Sequence, residues 1–264
     1  YMSYVLGHWP PGESGLRGLR LSRAAGRNMI LAHVGMVERI RKIHGRKGKG
    51  KLRIGLAMHL LAFEPYRPDN AMDVDRTRRA EFLFNQAFSD CIHSGRLLAP
   101  YGRGEKIYDG SLQDFFGINY YSRRIIAFDL FSPGRFFIRE MEPGNVERSD
   151  LQWEIYPEGL YRVIHDSYAR YGLPVRITEN GIADARDDRR SSFLRSHLAA
   201  VLRAMEEGIP VEGYYHWSLM DNFEWAEGLS PRFGLVAVDY ATQRRSVRPS
   251  ALDYRKIIAS GRLS

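Results

Sequence analysis

The feature that most constrains this chain is its alternation of short, nearly continuous apolar segments with longer stretches of helical period. The clearest strand is Val175-Arg176-Ile177-Thr178-Glu179, a β-branched run bounded by Pro174 and Gly181. Just before it, a helix over 157–171 opens with Pro157 at a favoured first-turn position and stops at Gly172. The same reading predicts helices over 22–43, 74–94, 188–207 and 249–258, and strands over 52–60, 115–121 and 211–218. Strand then helix, repeated, with strands apolar throughout, implies a parallel sheet covered on both faces. Barrel and open sheet both satisfy that pattern. Residues 131–151 form a Pro- and Gly-containing excursion with no clear period. No fixed-period repeat, low-complexity tract or linker divides the 264 residues, so the whole span 1–264 is expected to be one unit or part of one.

The net charge of +8 raises the question of nucleic acid. The one dense cluster, Arg46-Lys47-Gly48-Lys49-Gly50-Lys51, is a Gly-rich segment before a strand, and a solvated loop accounts for it. Other Arg residues are scattered, and the patterns of known nucleic-acid modules are not found, so no nucleic-acid partner is expected. No apolar run is long enough to span a bilayer, and no membrane partner is expected either. The single cysteine, Cys91, cannot form an internal disulfide and reads as a small buried hydrophobe, which leans toward the cytoplasm.

Chemistry-bearing residues gather at strand ends, where parallel barrels keep their active sites. The strand over 115–121 finishes with Asn119, Tyr120 and Tyr121, and the strand over 175–179 with Glu179 and Asn180. The strand over 211–218 finishes with His216, Trp217 and Ser218, and its following loop carries Asp221, Asn222, Glu224, Trp225 and Phe233. A strand-end Glu is ordinarily half of a salt bridge. Aromatic residues interleaved with carboxylates and amides, however, suit a sugar, whose apolar ring face stacks on Trp while its hydroxyls need donors and acceptors.

Four stretches resemble the family 1 glycoside hydrolases, β-glucosidases and β-galactosidases built on a (β/α)8 TIM barrel. They are Ile177-Thr178-Glu179-Asn180-Gly181; Asp114-Phe115-Phe116-Gly117-Ile118-Asn119-Tyr120-Tyr121-Ser122-Arg123; Trp153-Glu154-Ile155-Tyr156-Pro157-Glu158-Gly159-Leu160-Tyr161; and Trp217 to Trp225 followed by Arg232-Phe233-Gly234. The resemblance runs over essentially the whole chain. It implies that Glu179 is the nucleophile of a retaining double displacement, that Tyr121 hydrogen-bonds it, and that Asn119 is a cleft residue near the acid/base. It implies that Glu224 and Trp225 contact sugar hydroxyls, that Trp217 is a stacking floor with Phe233 in its wall, and that Trp153 flanks the aglycone. No metal and no organic cofactor belongs to this chemistry. The substrate would be a β-glycoside or oligosaccharide.

One part of the family pattern is not matched. A retaining glycosidase uses two carboxyl groups about 5 to 5.5 Å apart. In the family the acid/base Glu lies in an Asn-Glu-Pro motif ending an earlier strand, and Tyr4-Val5-Leu6-Gly7-His8-Trp9-Pro10-Pro11-Gly12 resembles the segment just after it. The chain is therefore expected to supply roughly the C-terminal half of the barrel, with the acid/base on a missing N-terminal segment. A complementary N-terminal half or a homo-oligomer is the expected protein partner. Phe63-Glu64-Pro65 mimics the missing motif superficially, and a loop salt bridge is the expected role of Glu64. His59 stands where the family often has Asn. The competing expectation is a non-catalytic half-barrel that binds sugars or serves only as a folded fragment.

Overall fold

The computed structural model describes residues 3, 11–13, 15–48 and 50–263. The segment Tyr4 to Pro10, on which the expected junction with a missing motif falls, lies outside the described residues, as does Lys49 of the basic cluster. The elements begin with α1 (Gly15–Lys47), β1 (Gly55–Pro65), α2 (Ala71–Glu81), a π-helical turn (Phe82–Gln86) and α3 (Ala87–Ser94). Next come β2 (Arg96–Leu97), β3 (Glu105–Lys106), β4 (Phe115–Phe128), β5 (Ile138–Met141), α4 (Pro157–Tyr171), β6 (Val175–Asn180) and α5 (Arg190–Glu206). The chain ends with β7 (Val211–His216), a 3-10 turn (Trp225–Glu227), β8 (Val236–Val238), β9 (Arg245–Val247) and α6 (Pro249–Ser260).

The main sheet has the order β1-β4-β6-β7, with β5 added antiparallel to β4. Its main strands follow chain order with helices between them, and β6 and β7 pair in parallel. This is one arc of a (β/α)8 barrel.

The chain divides into two compact units. The first holds the described residues up to Leu56 together with Phe63–Phe116 and Arg124–Glu142. Its core forms where Ile30, Val34 and Val37, spaced along one face of α1, meet Ile54, Cys91, Ile92, Leu97 and Leu112. Cys91 is a free, buried thiol, and its sulfur accepts the Leu98 N–H at 3.2 Å. Asn70 caps α2 by accepting the N–H groups of Met72 and Asp73. The buried Asp73 carboxylate then ties Arg67 (2.7 and 3.0 Å) and the Phe128 N–H (2.8 Å) together.

The second unit comprises Ala57–Ala62, Gly117–Arg123 and Pro143–Ser264, and every residue of the site described below lies in it. Leu160 and Ile164 of α4, Val175 and Ile177 of β6, and Leu194 and Ala204 of α5 are fully buried. Burying such side chains is worth roughly 1.5 to 3 kcal/mol each for the larger ones, and this core fixes the height of the strand ends. Pro157 does open α4, and Gly172 closes it in the left-handed conformation, φ 62°. No helix among the described residues is long and apolar enough to cross a membrane.

Candidate active site

Three strand ends build the site. On β4, Ile118 and Tyr120 are fully buried, so alternation turns Asn119 and Tyr121 to the other face. There the Tyr121 hydroxyl donates to Glu179 Oε2 at 2.7 Å, and the Asn119 side chain makes a second hydrogen bond to the same carboxylate. Asn119 is itself held, its Oδ1 accepting the Thr178 hydroxyl at 2.6 Å. Burial raises the pKa of Glu179 above the ordinary carboxylate range, and the hydrogen bonds from Tyr121 and Asn119 oppose that rise. Burial and the Glu179 charge both push the Tyr121 phenol upward, so it remains a donor.

Asn180 has a different job from its neighbour. Fully buried, it donates to the Tyr120 carbonyl at 2.8 Å and accepts the Tyr214 hydroxyl at 2.7 Å, tying β6 to β4 and β7. The next residue must be glycine, because a Cβ at Gly181 would collide with the Trp217 carbonyl oxygen. The Glu-Asn-Gly sequence is thus one cleft-side carboxylate followed by two residues that the packing dictates.

The loop after β7 brings in a second carboxylate. Trp217 donates its indole N–H to Glu224 Oε2 at 3.3 Å. Burial raises the Glu224 pKa, the Trp217 hydrogen bond opposes this, and the negative charges of Glu179 and Glu227 add to it. Trp225 is 71 % exposed, presenting a large aromatic surface with no packing of its own to explain it. The loop is anchored by Asp221, which is buried and accepts Arg248 at 2.9 and 3.1 Å and the N–H groups of Gly234 and Val238 at 2.9 and 3.2 Å. Burial alone would raise the pKa of Asp221, but Arg248 and these N–H groups hold it low.

Phe233 is 2 % exposed and closes an aromatic cluster. Its ring centroid lies 6.2 Å from those of both Tyr121 and Trp153, while Trp153 and Tyr121 are 5.6 Å apart. Phe233 is therefore packed against the phenol that holds Glu179. His59, exposed on β1, meets Tyr121 edge-on at 5.9 Å.

The structure thus brings Glu179, Tyr121 and Asn119 into one hydrogen-bonded group, links Trp217 to Glu224, and joins Trp153 and Phe233 to Tyr121. Glu64 is half-buried on β1 and belongs to the first unit. Asp221 stands in the sequence beside Glu224 as though in the same cleft, yet it is an internal staple. Sequence reasoning gave no role to Thr178, Tyr214 or Arg248, although it did single out Asn119, the partner of Thr178. Among the described residues, no group of three or more His, Cys, Asp or Glu is placed to hold a metal ion.

A family model, glycosyl hydrolase family 1, matches residues 1–262. A β-galactosidase of Sulfolobus acidocaldarius is 38% identical over 250 residues, covering 91% of this chain and 48% of its own length. β-Glucosidase A of Thermotoga maritima is 34% identical over 283 residues, with 98% and 61% covered. Among solved structures, a β-glycosidase from Pyrococcus horikoshii superposes with a TM-score of 0.83 at 34% identity, covering 97% of this chain and 57% of that one. The chain spans about half the length of the curated relatives it matches.

Proposed function

The chain belongs to glycosyl hydrolase family 1, and from that premise we propose that it forms the C-terminal part of a retaining β-glycosidase that removes terminal β-linked sugars. The observation that carries the reading is Glu179 at a strand end, half-buried, held by the Tyr121 phenol at 2.7 Å and by Asn119. In the first step a Glu179 oxygen attacks the anomeric carbon. The glycosidic C–O bond breaks, and its electron pair leaves on the aglycone oxygen, which takes a proton from a general acid. In the second step water gives a proton to the carboxylate that had served as that acid, attacks the anomeric carbon and releases Glu179. The general acid is proposed to be a second carboxylate on a preceding N-terminal segment that supplies the complementary half of the barrel.

Neutral donors suit the nucleophile. Tyr121 and Asn119 orient the carboxylate without neutralising it as an arginine would, and charge-assisted hydrogen bonds of this type are worth roughly 1.5 to 3 kcal/mol. Glu224, steadied by Trp217, is proposed to accept hydroxyls of the glycone, with the Trp217 and exposed Trp225 rings supplying apolar faces for the sugar. Trp153 is proposed to flank the aglycone. The substrate class is a β-glycoside or oligosaccharide.

The test is a 2-deoxy-2-fluoro-β-glycoside with a dinitrophenolate leaving group, applied to the complete barrel and followed by peptide mass mapping. The label is expected on Glu179. A label on Glu64 or Glu224 overturns the assignment, and a complete barrel that binds the sugar yet never turns it over supports a non-catalytic carbohydrate-binding protein.

A further inference from the structure

On either side of Tyr121, β4 grips a second segment at several points. The Tyr120 hydroxyl donates to the Tyr156 carbonyl at 2.7 Å, and the Ser122 hydroxyl to the Glu154 carbonyl at 3.0 Å. Arg123 donates through Nε and Nη2 to the two carboxylate oxygens of Glu154 at 2.7 and 2.9 Å. The two side chains are only 16% and 7% exposed. The Arg123 guanidinium also lies 4.1 Å from the centre of the Tyr156 ring. Trp153 precedes Glu154 in the chain; its ring centroid lies 5.6 Å from that of Tyr121, and its main chain exchanges hydrogen bonds with Ser149 at 3.2 and 2.8 Å.

A buried ion pair is a poor device for stability, because the desolvation of both charges offsets most of their attraction. A bidentate guanidinium–carboxylate fork is a good device for geometry, since it fixes both distance and plane. Here the fork ends one residue from Trp153, on a strand whose previous residues include Tyr121. We propose that Arg123 and Glu154 are positioning residues that hold the Trp153 ring against Tyr121, and so give the site its preference for planar aromatic aglycones over aliphatic ones. The inference rests on the reading of Trp153 as the aglycone flank. Neither charge touches substrate; the pair acts through the ring it places.

The test uses 5-fluorotryptophan in the full chain, which has four tryptophans, with Trp153→Phe assigning the resonance. Two non-hydrolysable probes are titrated, phenyl and methyl 1-thio-β-glucoside. Glu154→Gln is expected to move or broaden the Trp153 fluorine resonance and leave the other three in place. It should weaken the phenyl probe about three- to tenfold, the range an aromatic contact spans, while changing the methyl probe by less than about twofold. Should Glu154→Gln fail to fold, the double variant Arg123→Met/Glu154→Leu removes both charges together, and the same selective loss is expected. An unmoved Trp153 resonance overturns the proposal, and so does equal weakening of both probes, which is what a merely structural pair gives. The probes are titrated into the complete barrel; if it binds neither, the aglycone reading fails and the specificity claim falls with it, while the Trp153 resonance still decides whether the pair positions the ring.

Discussion

Replacing Tyr121 with Phe isolates one bond. The ring stays, and with it the edge contacts to His59, Trp153 and Phe233 at 5.6 to 6.2 Å. What goes is the hydroxyl that donates to Glu179 Oε2 at 2.7 Å. A hydrogen bond to a charged group contributes about 1.5 to 3 kcal/mol, and this one favours the ionised carboxylate. Its loss should lower the acid dissociation constant of Glu179 by roughly ten- to a hundredfold, because 1.36 kcal/mol is a factor of ten. Burial already raises that carboxyl, so Asn119 would be left opposing burial alone. The assay is a pH titration of glutamate side-chain carbons by carbon-13 NMR, with Glu179→Gln identifying the signal. A complete barrel gives a second readout, an acidic limb of kcat/KM displaced toward higher pH. A Glu179 midpoint that stays put or falls in Tyr121→Phe would refute the reasoning, since the phenol could not then be donating to the anion.

Glu224→Gln keeps the bond from Trp217 while removing the charge, so kcat/KM of the complete enzyme is expected to fall by about one to two orders of magnitude with the far-ultraviolet dichroism unchanged. Arg248→Met strands the buried Asp221 carboxylate and should lower the unfolding free energy by about 3 to 5 kcal/mol in urea titrations; a loss under about 1 kcal/mol would mean that water reaches the pair. His197 and His216 are buried, and burial, joined for His216 by the Arg190 charge, depresses them from 6.5 to about 4 and about 3. The folded state binds fewer protons than the unfolded state, so their contribution is complete above about pH 6.5 and is lost as pH falls toward 4 and 3. For His197 this amounts to about 3 kcal/mol. Chemical denaturation at pH 7 and at pH 4.5 should show a smaller acid loss in His197→Phe than in wild type, and an identical loss would sink the account.

Much of the fold was legible because periodicity and punctuation agreed. α4 runs over Pro157–Tyr171 as its Pro and Gly signals predict, and β6 exceeds its predicted end by one residue, Asn180. α1 reaches Gly15–Lys47, well beyond the apolar face at Ile30, Val34 and Val37, because Arg-rich turns continue a helix without leaving a pattern. The predicted helix over 74–94 is three pieces, starting at Ala71 and interrupted by the π-turn at Phe82–Gln86. One extra residue in a helical turn hardly alters the spacing of apolar positions. β5 and the β8–β9 hairpin were missed because strands of three or four residues fall below any window that detects alternation. The excursion over 131–151 contains β5, whose pairing with Ile125–Phe128 is a tertiary fact. In the site, the strand-end position of Glu179 was readable, but Arg123 with Glu154 and Asp221 with Arg248 lie 31 and 27 residues apart. In sequence each looks like a surface charge.

The fold sorts physically the carboxylates that the sequence presents as alike. Asp221 receives a guanidinium and two backbone N–H groups and is held low, which leaves a carboxylate fully committed to its neighbours. Glu179 and Glu224 are comparably buried but, among the described residues, receive neutral donors, a phenol, an amide and an indole, and both are raised. Glu224 also feels the Glu179 charge, which is one of the causes that raises it. Two under-compensated negative charges in one pocket are unfavourable in the empty site. In the proposed reaction they would become favourable as positive charge develops at the anomeric carbon of an oxocarbenium-like transition state. On this argument the energy that burial withholds from the resting carboxylates is recovered only as the glycosidic bond breaks. Replacing Glu179 by Gln should therefore raise the stability of the folded chain at neutral pH, where the ionised group is disfavoured, and leave it nearly unchanged at pH values low enough to protonate carboxylates. Urea unfolding of the two proteins at both pH values measures the difference. A Glu179→Gln chain less stable than wild type at neutral pH would show that the carboxylate is fully compensated, and the proposed division of labour between Asp221 and Glu179 would not hold.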